Sequence, residues 1–336
     1  MSRRPNAQGA RWPEVLAAAP KRETIVPGGS ARSGSLIERV TLADGRVVIV
    51  KHLDPRVDLV LRALDDDGRL ARLWESGVFE RMPDVVEHGL LGVEREADGW
   101  LVVMTDVGDA LLPDDRPISR AESRRLLSAA AAMHERFVDA DLPALGRIGL
   151  LYRFLSPAIA VAEAGSPNPL PALVGRGWAR FPEAVPSDVA DAIATMHADP
   201  DRYAAAFDAA PRTLVHGDYR FANLGLRKDR VVVIDWGSSC VAGPAALDLA
   251  WYLIVGATRI GATRDEVIDD FIELEGARHD PRALGLALIG ALAQLGWNKA
   301  LDVLENEDPR ARARERADLD WWVARVRREL DAWGPI

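Results

Sequence analysis

Cysteine occurs once in the 336 residues, at Cys240, so the chain closes no disulfide within itself and offers no thiolate cluster for zinc. Following Asp235 to Ser239, Cys240 reads as a small buried residue in a turn. Lysine is almost as scarce: Lys21, Lys51, Lys228 and Lys299 stand against thirty-eight arginines. Arginine serves wherever surface charge is needed, which singles out each lysine. The longest apolar-leaning stretch, 284–297, is too short to cross a bilayer and reads as a buried helix, so no membrane partner is expected. The first twenty residues are basic and rich in small side chains but lack the apolar centre of a secretion signal, so a cytoplasmic location is expected. Positive charge is not in excess: the net charge is −9, which argues against nucleic acid as a partner. There is no internal repeat, no low-complexity block and no Gly-x-x-x-x-Gly-Lys-Ser/Thr phosphate loop.

What is present suffices for a large core. With 48% hydrophobic residues over this length, two domains or one bilobal domain are expected. Residues 1–20 read as a loosely held arm. Residues 21–108 read as a small β-rich lobe. Within it 36–42 alternates as a half-buried strand, Ala43-Asp44-Gly45 signals a hairpin, and 46–53 returns as a strand. Between 57 and 77 the spacing predicts two short helices, the second from about Arg69 to Ser76. Strands are expected over 85–91 and 100–105. From about 109 to 336 the pattern is helical. Ser119-Arg120-Ala121-Glu122 and Thr263-Arg264-Asp265-Glu266 are capping boxes that start two of the helices.

The chemistry concentrates between 216 and 237. His216-Gly217-Asp218-Tyr219-Arg220-Phe221-Ala222-Asn223 precedes Val231-Val232-Val233-Ile234-Asp235-Trp236-Gly237. Such a set supplies a phosphoryl-transfer centre. Asp218 is the candidate base, a carboxylate that orients an acceptor hydroxyl and takes its proton. Asn223 and Asp235 lie at the two ends of a short hairpin that brings them together, and offer the oxygen ligands that Mg2+ prefers. His216 is expected to hold the loop by hydrogen bonds to backbone. Asp248 either braces that loop or caps a following helix. Lys51 ends a β-branched run and is placed to reach the α- and β-phosphates of a nucleotide. Its acidic partner is expected on the helix that follows, with Glu75 ahead of Glu80. The small-residue segment 28–35, including Ser30 and Ser33, precedes the Lys51 hairpin and is positioned to fold over phosphates. Met104 and Asp106, in Met104-Thr105-Asp106-Val107-Gly108, lie where backbone groups of a hinge would read an adenine edge.

These residues resemble the aminoglycoside phosphotransferase and choline kinase family, relatives of the protein kinases. Residues 216–224 look like its catalytic loop, Ile234-Asp235-Trp236-Gly237 like its metal-binding segment, and Asp248-Leu249-Ala250 like its next helix start. The resemblance covers roughly residues 24–300. It implies an α+β, bilobal protein-kinase-like fold, with ATP and Mg2+ between a small β-rich lobe and a larger helical lobe. It also implies transfer of the γ-phosphate to a hydroxyl of a small molecule. No long activation segment with Ala-Pro-Glu follows Gly237, which argues against a protein substrate. In this family the acceptor pocket is built after the metal segment, and the candidates here are Tyr219, Trp236, Gln294, Trp297 and Asn298. Sugar and amino-sugar pockets combine an aromatic face with amides, and a trimethylammonium pocket also uses tryptophan. Asp265, Glu266, Asp269, Asp270 and Glu273 either favour a cationic ligand or form the solvated face of a helix. Three readings follow: a kinase of a sugar, amino sugar or aminoglycoside; a choline or amino-alcohol kinase; or a nucleotide-binding scaffold without catalysis.

Overall fold

A computed structural model describes residues 11–25, 34–142 and 145–334. Its first part is built around an antiparallel sheet. Helix α1 (Trp12–Ala17) leads into strands β1 (Lys21–Thr24), β2 (Leu36–Thr41) and β3 (Val47–Leu53). Two short helices follow, α2 (Leu59–Ala63) and α3 (Arg69–Glu75), then β4 (Val86–Glu87), β5 (Leu90–Glu96) and β6 (Gly99–Thr105). The sheet order is β1-β2-β3-β6-β5, every neighbour antiparallel. Side chains alternate along β3. Val48 and Val50 are buried with Val40, Leu101 and Val103, whereas Lys51 takes the opposite phase. That parity sends the lysine to the other face of the sheet. Residues 12–17 differ from the loose arm read in the sequence. Trp12 and Leu16, four apart on one helical face, pack into this small core, and the Trp12 backbone N–H donates to Glu94.

The second part is mostly helical. It comprises α4 (Arg120–Arg136), α5 (Ile148–Phe154), α6 (Pro157–Ala162), α7 (Leu170–Ala184), α8 (Ser187–Ala198) and α9 (Pro200–Ala205). Short strands β7 (Thr213–Val215), β8 (Leu224–Leu226), β9 (Val231–Val233) and β10 (Val241–Gly243) come next. Helices α10 (Ala246–Gly256), α11 (Arg264–Glu275), α12 (Pro281–Glu305) and α13 (Pro309–Trp333) complete it. Both capping boxes form, so that Ser119 and Thr263 each satisfy backbone donors at a helix start. Helix α12 is buried on nearly every side from Ala283 to Ala293, as a helix without a polar face must be. Each of Leu288 and Leu292, fully enclosed there, contributes about 2 kcal/mol of apolar burial.

Two devices join the parts. Strand β4 pairs in parallel with β9, which itself pairs with β8 as a hairpin. After β6 the chain runs along that hairpin, where Leu226 N–H donates to the Ala110 carbonyl and Leu112 N–H to the Leu224 carbonyl. The sheet carrying Lys51 is thereby set against the loops at the ends of β7, β8 and β9.

Candidate active site

The loop between β7 and β8 begins with His216 and Gly217, and the backbone at Gly217 leaves little choice of residue. Gly217 has φ +75°, and a Cβ there would lie 2.0 Å from the Ser239 carbonyl oxygen. Only glycine allows the two loops to approach so closely. His216 Nδ1 accepts from the Asp218 N–H at 3.2 Å, so the ring proton resides on Nε2 and is donated to the Ile234 carbonyl at 3.0 Å. The imidazole thus ties the loop bearing Asp218 to the segment bearing Asp235. The Trp236 ring meets it edge-on at 4.6 Å.

Asp248 does not cap α10; it is the third residue of that helix. Its carboxylate accepts the His216 N–H at 3.0 Å, the Gly217 N–H at 2.8 Å and His134 Nε2 at 3.0 Å. His134 Nδ1 lies 3.3 Å from Glu275. A neutral imidazole donates on one side only, so contacts to two buried carboxylates require the protonated ring. Burial opposes that charge, but the hydrogen bonds to Asp248 and Glu275 outweigh it and push the His134 pKa up to about 9.

On the open side, Asp218 accepts from three side chains. Trp251 Nε1 donates to Oδ1 at 2.7 Å, Asn223 Nδ2 to Oδ2 at 2.8 Å, and Arg220 Nε lies 3.0 and 3.2 Å from the two oxygens. Burial raises the Asp218 pKa, opposed by Arg220 and reinforced by Asp235. Asn223 closes a 3-10 turn over 221–223 and turns its NH2 group inward to Asp218, which leaves Oδ1 as its free acceptor. Asp235 follows β9 with φ +64°, a left-handed conformation unusual for a residue with a Cβ. Lys51 Nζ reaches across to Asp235 Oδ1 at 2.6 Å. Burial works against the Asp235 carboxylate, yet the Lys51 charge prevails and lowers its pKa. For Lys51, burial is likewise overcome, by Asp235 first and then by Asp58 and Asp218, and its pKa is raised. The Asp235 side chain stays 41% exposed, so solvent screens the pair and its contribution to stability is small. The oxygens of Asn223 and Asp235 are the hard donors that Mg2+ takes.

The acidic partner expected for Lys51 is elsewhere. Glu75 and Glu80 are exposed, at the end of α3 and in the turn after it, while Lys51 pairs with Asp235. The second carboxylate in its field is Asp58, buried at the N-cap of α2, where it accepts from the Ser35 hydroxyl and the Val60 and Leu61 N–H groups. Nothing in the sequence pointed Asp58 toward Lys51.

The sequence profile of the Phosphotransferase enzyme family matches residues 37–286. The chain belongs to this family. Among solved structures it is similar to choline kinase from Streptococcus pneumoniae, at 14% identity over 92% of this chain and 95% of that one, with TM-score 0.53. It is also similar to spectinomycin phosphotransferase solved with ADP and spectinomycin, at 13% identity over 93% of each chain, with TM-score 0.50. No curated protein matches the sequence. The fold is therefore α+β and bilobal, of the protein-kinase-like phosphotransferase kind, and the chain is a small-molecule phosphotransferase.

Within this phosphotransferase the remaining candidates are distributed unevenly. Met104 lies on β6 opposite Ile49, and Asp106 is bound to Arg39 at 2.9 Å and to the Gly108 N–H. Ser30 and Ser33 fall outside the described residues. Several of the acceptor-pocket candidates are anchored to other parts of the protein. The Tyr219 hydroxyl donates to the Leu126 carbonyl in the core, and Trp236 Nε1 to the Val233 carbonyl. Gln294 donates to the Leu151 carbonyl, Asn298 to Asp302, and Trp297 is buried. Helical spacing within an apolar helix marked Gln294, Trp297 and Asn298, but Gln294 turns to a core carbonyl and Asn298 to a carboxylate on its own helix. Of the five α11 acids singled out in the sequence, four are held by arginines: Asp270 by Arg120 and Arg124, Glu266 by Arg120, Glu273 by Arg124, and Asp265 by Arg325 at 3.6 Å, while Asp269 is exposed. Cys240 is buried, its thiol pushed up to about 12, hence protonated and unreactive. Trp251 and Arg220, which do touch Asp218, went unassigned in the sequence. Trp251 lies one helical turn after Asp248, a spacing that places both on one face of α10.

Proposed function

We propose that this chain transfers the γ-phosphate of ATP, held with Mg2+, to a hydroxyl of a sugar, amino sugar or aminoglycoside. Asp218 is the base. It orients the acceptor hydroxyl and takes its proton as the new oxygen–phosphorus bond forms and the bond to the β–γ bridging oxygen breaks, releasing ADP. Asn223 Oδ1 and Asp235 are the metal ligands, and Mg2+ bound there supplies neutralisation of phosphate charge. Lys51 passes from Asp235 to the α- and β-phosphates when nucleotide enters. Asp106 and the backbone at Met104 border the nucleotide.

The observation that carries this reading is the convergence of Asp218, Asn223 and Asp235 from two loops, with Lys51 reaching them from the sheet. A paired Lys51 also speaks against a silent scaffold. Arginine pairing of the α11 acids removes one source of attraction for a polycation, and so favours the less charged end of the acceptor range. The half-buried Trp251 indole beside Asp218 is the one feature that favours an amino alcohol. An ATP-to-ADP assay against sugars, amino sugars, aminoglycosides and amino alcohols tests the reading. Asp218→Asn is expected to lower turnover at least a thousandfold with ATP affinity within about threefold. Turnover surviving in that variant would remove Asp218 as the base.

A further inference from the structure

Helix α10 grips the catalytic loop twice. Asp248 binds the backbone of His216 and Gly217, and Trp251, one turn later, binds the side chain of Asp218. The helix is rigidly held: Ala250, Tyr252, Leu253 and Ile254 are buried, and the Tyr252 hydroxyl donates to Ser123 at 2.9 Å. Of the three side chains that donate to the Asp218 carboxylate, two have other demands on them. Asn223 carries the oxygen placed for the metal, and Arg220 is a flexible cation that lies nearly equidistant from both carboxylate oxygens. Trp251 alone among the three combines a rigid ring, a single directional N–H and no charge. A neutral donor fixes the rotation of a carboxylate while weakening its basicity less than a cation does.

We propose that Trp251 is a positioning residue for phosphoryl transfer: its indole N–H locks Asp218 Oδ1, so that the carboxylate presents a fixed edge to the acceptor hydroxyl. This rests on Asp218 acting as the base. The ordered carboxylate saves the orientation that the transferring step otherwise loses to rotation. The charged and titratable groups around Asp218 are Arg220 and His216 on its own loop, Asp235 after β9 and Lys51 on β3, and none is altered by changing Trp251.

Trp251→Phe keeps an aromatic ring and removes the donor. The expected result is a 10- to 100-fold lower kcat with KM for ATP within about twofold. Trp251→His, which retains a ring N–H, is expected to recover part of kcat. An unchanged kcat in Trp251→Phe, or a loss confined to KM, would overturn the proposal. A second measurement needs no acceptor. In the 1H–15N spectrum of the ten indole groups, the cross-peak missing from Trp251→Phe should shift in Asp218→Asn. A cross-peak indifferent to Asp218→Asn overturns the contact itself. Full turnover in Asp218→Asn, with the cross-peak shifted, would instead remove the base assignment and leave the contact standing.

Discussion

The catalytic loop has a rear and a front, and the two are built on opposite principles. At the rear, Asp248, His134 and Glu275 are enclosed, and the Asp248 carboxylate alone accepts three hydrogen bonds. At the front, Asp218 is half-buried and Asp235 exposed, Asp235 sits at a positive φ, and Lys51 crosses from another element to pair with it. Buried polar groups are costly unless satisfied, so the rear holds one shape. The front keeps oxygens available and backbone strain in place, which costs stability but leaves ligands to be bound. Rigidity behind and availability in front are what positioning catalysis requires.

The comparison predicts that the two carboxylates Asp235 and Asp248 fail in different ways. Asp235→Gly removes the proposed metal ligand and is expected to lower turnover by at least about a thousandfold. Because glycine relaxes the left-handed backbone, the variant should be as stable as the parent or slightly more so in thermal unfolding. Asp248→Ala should do the reverse in its primary effect. It leaves two backbone donors and a protonated imidazole without their carboxylate, a loss of roughly 3–5 kcal/mol in urea denaturation. Comparable stability losses in both variants would erase the distinction between rear and front.

A pH experiment sharpens the rear. The ordinary histidine value is about 6.5, and His134 in the folded chain is held up to about 9. The folded state therefore binds this proton more tightly than the unfolded state. The stabilisation is complete below about pH 6.5 and is lost as pH rises through about 9, an effect on the order of 3 kcal/mol. Denaturation midpoints measured from pH 6 to 10 should fall over this window in the parent and stay flatter in His134→Gln. The smallest expected effect concerns the sheet side. Glu75→Ala should change turnover less than twofold and stability by less than about 0.5 kcal/mol, since the side chain is exposed and Lys51 pairs with Asp235. A large loss of ATP affinity in that variant would restore Glu75 as the partner.

Legibility in the sequence followed the range of the interactions. The hairpins at 36–53 and 224–233, both capping boxes and the helices 187–198 and 281–305 arise from local periodicity and turn chemistry, and they stand out in the chain. The helices between 148 and 184 did not, because Pro169, Pro171 and Pro182 and scattered glycines blur their pattern. Residue spacing around Asp218 and Asp235 pointed to one shared centre because the intervening hairpin is only ten residues of strand and turn. The same reasoning placed the lysine's acidic partner at Glu75 or Glu80, whereas Lys51 pairs with Asp235, a meeting of residues 184 apart that local spacing does not reveal. Tyr219 and Gln294 carried polar atoms toward core carbonyls that sequence spacing does not reveal.

By itself, then, the order of residues determined the chemistry on offer: the carboxylate proposed as base, the oxygens proposed as metal ligands and one lysine, all within short stretches or at the end of a strand. Only the tertiary structure decided which groups surround them. It set Asp235 rather than Glu75 against Lys51, His134 behind Asp248, and Trp251 against Asp218, contacts that span up to 184 residues between Lys51 and Asp235. Local motifs are written by neighbours in the chain, whereas such pairings depend on how helices pack, and packing is settled by the burial of the whole core.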